Sequence, residues 1–261
     1  MNLKSNNPFF KSKSFSKAEA TTVFDADGRP VEIIDFNNTM TINGAINKSL
    51  ILLLLLVGST FFIWQMAFNA VGELSPQIFP YMIGGAITGF ITVLIASFKP
   101  NYSPYLAPAY AVMEGVFIGG ISAFMETRYE GIVMQAVSGT FVTAAVCFLL
   151  YRFKVVKVTQ QFRSVVIAAT FAIFTIYMLS WIMSFFGIQA FIYNTSLVSI
   201  GFSILVIVIA ALNLFLDFDL MEQGAKQRLP KYMEWFSGMA LMITLVWLYV
   251  EFLRLLSKLR D

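Results

Sequence analysis

Glu114 sits inside an apolar stretch that begins near residue 104. Ten residues of helix cover roughly 15 Å, which places its carboxyl group near the middle of a bilayer. A carboxylate at that depth must face a cavity, find a partner or take up a proton. It is therefore a candidate for cation contact or proton exchange, with a protonated packing role as the plainer alternative. A second polar group closes the sixth apolar run: Asn213, then Asp217 one turn later on the same face, then Asp219. Asp217 beside Asn213 reads either as an ion contact or as ordinary helix-end polarity, whereas Asp219 and Glu222 read as solvated interface charges. Thr244 lies nine residues into the seventh run, at a depth comparable to Glu114. A threonine there commonly bonds its own helix. Glu251 and Arg254 have the spacing of a within-helix ion pair near the outer membrane surface.

Other chemistries are excluded by residue type. Histidine is absent, which removes Ser-His nucleophile activation, zinc sites of the H-E-x-x-H type and the imidazole switch. Cys147 is the only cysteine, so one chain builds neither an internal disulfide nor a multi-thiolate metal site. Proton-linked behaviour must rest on carboxylates. An intramembrane enzyme would need two deep aspartates, and Asp217 has no second; the expectation is no catalysis and no cofactor.

The elements that must position these residues are set by composition. Hydrophobic residues make up 58% of the chain and charged ones 13%, with a mean hydropathy of +0.74. Lipid is the solvent for most of such a sequence. Apolar runs long enough to cross the bilayer recur near residues 47 to 68, 78 to 98, 104 to 125, 132 to 151, 165 to 186, 196 to 216 and 235 to 256. They are continuous rather than alternating, so helices are expected, not a membrane barrel. Residues 1 to 45 form a polar tail, expected to be cytosolic and partly disordered. Within it Asp25 to Pro30 reads as a turn. Residues 46 to 261 form the transmembrane domain. The first run follows a long tail and exceeds a signal h-region, so it should remain in the mature protein.

Fourteen basic residues fall on the N-terminal side of the runs, against Arg128 alone in the opposing loops, where Glu73 has no base beside it. The N-terminus should therefore be cytosolic. Arg254, Lys258 and Arg260 follow the last run on the other side and resist that count, which leaves open a re-entrant or shallow seventh segment. Gly85 and Gly89, and Gly115 and Gly119, have the small-xxx-small spacing that lets helix backbones approach. The net charge of +3 is spread between runs and points to no nucleic-acid partner. Phenylalanines and methionines read as lipid-facing or packing residues.

Several segments together resemble the Bax inhibitor-like, or YccA-like, membrane proteins in their bacterial branch. They are Ala107 to Gly115 leading into Gly119 to Ser122, Asn213 to Asp219, Pro230 to Trp235, Trp247 to Glu251, and Leu253 to Leu256. The resemblance covers nearly all of the membrane region. It implies an all-α bundle of seven transmembrane helices with the last enclosed by the others and, for some members, a pH-sensitive calcium leak. It also implies that acids on helices six and seven share protons or a hydrogen bond to gate the pore. Asp217 matches the helix-six acid; the helix-seven position falls on Thr244, and the second run has no arginine to act as the family's latch. We therefore expect Glu114 to supply the second carboxylate, across the bundle from Asp217, with Glu114 and Asp217 as transient calcium contacts. The alternative is a non-catalytic regulator of another membrane protein, such as a membrane-bound protease. The expected location is multi-pass in the bacterial inner membrane, with the lipid bilayer and that membrane protein as partners.

Overall fold

In a computed structural model, residues 21–24, 30–33, 38–68, 74–187 and 190–261 are described. Seven helices are long and apolar enough to cross a membrane: α1 Ile42–Ala67, α2 Ile78–Phe98, α3 Ser103–Arg128, α4 Ile132–Arg152, α5 Gln160–Phe185, α6 Leu197–Lys226 and α7 Met233–Arg260. The molecule is an all-α multi-pass membrane bundle. Two short strands precede it, β1 Thr21–Phe24 and β2 Pro30–Ile33, paired antiparallel with Thr21 opposite Ile33. The expected turn between them, the rest of the tail before residue 38, and Glu73 lie outside the described residues.

Helix starts follow local chemistry. Thr41, Thr159 and Ser196 cap α1, α5 and α6 by accepting from Gly44, Phe162 and Ser199 backbone N–H groups. The α3–α4 connection turns through Gly131 at φ +76°, a conformation that favours glycine. There the Glu126 carboxylate accepts from the backbone N–H of Gly131 at 2.6 Å and of Val133 at 3.1 Å, which suits the positive end of α4.

Small residues set the close helix pairs. A Cβ on Gly115 would stand 1.8 Å from Ser59 Oγ and 2.5 Å from the Leu56 carbonyl, and one on Gly119 would stand 2.8 Å from the Thr60 carbonyl, so α3 lies directly on α1. On its other side α3 meets α2, where a Cβ on Gly85 would reach the Met113 carbonyl at 2.7 Å. Without a hydrophobic drive between helices in lipid, this close van der Waals contact is what associates them.

α7 packs against α1, α3, α4 and α6, which makes it the enclosed helix. It is one unbroken helix of 28 residues, about 42 Å long and more than enough to span, without the break in the helix that a re-entrant segment needs. Each basic residue that resisted the charge count has a specific partner. Arg254 bonds Glu251, Lys258 bonds Ser203 Oγ and the Ser199 carbonyl, and Arg260 bonds the Glu130 carbonyl and Gln135. Counting charges sorts residues by type and cannot see these contacts. Tyr129, at the end of α3, donates to the Asp261 carboxylate, and that hydrogen bond is the largest cause raising the phenol's pKa.

The expected spans hold to within a few residues, with one exception. α6 runs to Lys226 rather than ending near 216, because Asp219 and Glu222 continue the helix by pairing with neighbouring helices. The polar tail also ends differently. Met40 is buried, and its N–H donates to the Leu229 carbonyl at 2.7 Å, while Lys231 N–H donates to the Asn38 carbonyl at 3.0 Å. Residues 38 to 41 are thus part of the folded bundle, docked on the α6–α7 connection.

Candidate ion pathway and buried carboxylates

Asp217 projects from α6 into the seam with α7, 9% exposed, close to the Thr244 side chain. Its Oδ2 has no hydrogen-bond partner among the described residues. The Thr244 hydroxyl also lies 3.3 Å from the Ala240 carbonyl of its own helix. Asp217 is nine residues from the end of α6 and Thr244 eleven from the start of α7, so both lie roughly 14 to 17 Å along their helices from the α6–α7 connection.

Glu114 lies equally far along its helix, eleven residues into α3, but has a different neighbour. Its Oε2 lies 2.8 Å from where a Cβ on Gly89 of α2 would stand, with Tyr110 close to the same point. α3 packs on α1, α2 and α7, whereas α6 packs on α7, α4 and α5. The two acids therefore occupy separate interfaces, and the expected opposition of Glu114 to Asp217 is not what the fold builds. Depth along the helix left the face that Glu114 presents undetermined. Asn213 also turns away from Asp217, its amide donating to Thr170 of α5 and to the Ile209 carbonyl, both at 2.9 Å.

The remaining candidates differ from their sequence readings in burial. The expected within-helix pair of Glu251 with Arg254 forms, and Glu251 is 1% exposed inside the bundle. Its Oε1 accepts from Arg254 at 2.9 Å and from the Tyr177 hydroxyl of α5 at 2.8 Å, and the Arg254 guanidinium lies over the Tyr177 ring. Asp219, 7% exposed, is likewise no solvated charge: it pairs with Arg163 of α5 at 2.6 Å. Glu222 accepts from Tyr151 of α4 at 2.5 Å and from Lys226. Such interhelical pairs let a charged helix end remain inside a bundle.

Sequence reasoning missed Glu234, which is 2% exposed at the start of α7. It accepts from the backbone N–H and the hydroxyl of Thr41, each at 3.0 Å, beside Gly44, where any Cβ would collide with the carboxylate. The signals were Thr41 as a helix cap and an acid in the first turn of α7, but nothing in sequence joins positions so far apart. Lys258 and Tyr177 were missed for the same reason. Among the described residues no three acidic or cysteine side chains group as a metal site. The arrangement offers Asp217 beside the enclosed helix without a basic partner, Glu114 at the α2–α3 contact, and Asp219 and Glu251 paired with arginine, although Glu251 Oε2, like Asp217 Oδ2, has no hydrogen-bond partner among the described residues.

Residues 7–261 match the family described as Bax inhibitor 1 like. No curated protein sequence matches the chain.

Proposed function

The chain belongs to the Bax inhibitor 1 like family, and from that premise we propose that it is a pH-sensitive cation leak, with calcium as the permeant ion, gated by protonation of intramembrane carboxylates. One observation supports the reading: the Asp217 carboxylate is buried inside the helix bundle against α7, with an oxygen that no described residue satisfies and no arginine or lysine paired to it. When ionised it offers a hard oxygen ligand to a passing cation. When protonated it withdraws both the charge and the ligand. Thr244 stands beside it on α7, and Asn213 ties α6 to α5. Glu114 acts as a second acid from its own interface. Glu251, neutralised by Arg254, fits a secondary role, as does Asp219 with Arg163. The chain acts without catalysis and needs no cofactor.

The sign of the pH dependence follows: flux should fall on acidification from about pH 8 to about pH 6, as the acids take up protons. The test is calcium entry into liposomes containing the purified protein, for wild type, Asp217→Asn and Glu114→Gln. The reading requires a wild-type flux whose pH dependence Asp217→Asn flattens. No flux from monodisperse, folded protein would sink it and leave the regulator of a membrane protein as the better account. That second account is probed by removing residues 1–37, not 1–45, because residues 38 to 41 belong to the bundle. Loss of partner capture would then be a property of the tail and not of a disrupted α1.

A further inference from the structure

We propose that a cavity between α1 and α4 is a binding site for one acyl chain of a bilayer phospholipid. The cavity measures about 410 Å³ and is walled by α1, α3, α4 and α7, within the size range of sites that hold small molecules. Along α1 its lining runs from Leu53 to Trp64, roughly 16 Å of helix. α7 and α3 form its floor, with Met242 2% exposed and Ile118 6%. Val57 and Phe141 stand at its rim, about half exposed on the outer face of α1 and α4.

The wall chemistry identifies the occupant. Every hydroxyl that reaches the lining is already engaged with protein. Ser122 and the Tyr249 phenol bond each other at 2.7 Å, Thr60 donates to the Gly115 carbonyl at 3.1 Å, and Thr140 donates to the Ala136 carbonyl at 2.8 Å. No charged side chain lines the space. A wall with its hydroxyls already bonded and no charged side chain offers little to an ion or to water, which needs two to four polar partners. The rim lies on membrane-spanning helices, so what adjoins it is lipid hydrocarbon. A chain entering there gains van der Waals contact on all sides, which bulk lipid provides less completely. The site is separate from the carboxylates of the proposed gate, and its test does not depend on ion flux.

The experiment uses the full-length protein in liposomes containing phosphatidylcholine with a mid-chain diazirine, irradiated and mapped by peptide mass spectrometry. Adducts are expected on the floor, at Met242 and Tyr249, as well as on outward-facing side chains such as Phe171 of α5. Val246→Trp and Val137→Phe, each filling the cavity from a different helix, should lower floor labelling relative to Phe171 by about tenfold. Only variants that elute as folded, monodisperse protein are compared, and the wild-type map stands without them. Adducts confined to outward-facing residues in wild type would overturn the proposal. So would floor labelling that both fillers leave unchanged.

Discussion

Asp217 and Glu251 are buried acids on the two packed helices α6 and α7; each leaves one oxygen without a hydrogen-bond partner among the described residues, and they differ in the charge beside the other oxygen. Glu251 has a guanidinium at 2.9 Å and a phenol at 2.8 Å on the same oxygen. Asp217 has the Thr244 side chain nearby and no basic side chain among its ion-pair partners in the described residues. A buried carboxylate beside a fixed cation keeps its charge and holds helices together. One without a fixed cation must draw its compensation from a proton or a passing ion. The contrast separates a structural acid from a candidate gate better than depth or residue type does.

Substitutions sharpen that contrast, beginning with the largest expected loss. Arg254→Met strands the Glu251 charge and should lower unfolding stability by about 3–5 kcal/mol, read by denaturation in detergent. Adding Glu251→Gln should recover most of it. Tyr177→Phe removes one donor to the same carboxylate and should cost about 2 kcal/mol. Thr41→Ala removes both the α1 cap and the hydroxyl donor to Glu234, and about 1 kcal/mol is expected. Asp217→Asn should change stability least, by less than about 1 kcal/mol, because it strands no opposite charge. A loss as large as that of Arg254→Met would place Asp217 among the structural acids and break the comparison.

The bundle was legible in the sequence because lipid imposes a single rule, a continuous apolar run, and all seven runs obey it. The glycine pairs were equally readable, since Gly85 and Gly115 lack the Cβ that α3 and α1 could not accommodate. What could not be read was partnership. Asp219 looked like a solvated end because Arg163 that neutralises it lies on another helix. Lys258 looked misplaced because the serines that receive it are on α6. The face that Glu114 presents depends on Gly89 of α2, a contact that spacing within one helix does not determine.

The most direct test of the distinction between the two acids is an infrared difference spectrum of the protein in lipid, recorded between about pH 8 and about pH 6. The account predicts a protonated-carboxyl band on acidification, part of which disappears in Asp217→Asn and none of which disappears in Glu251→Gln. A band unchanged by Asp217→Asn, or one removed by Glu251→Gln, would contradict it.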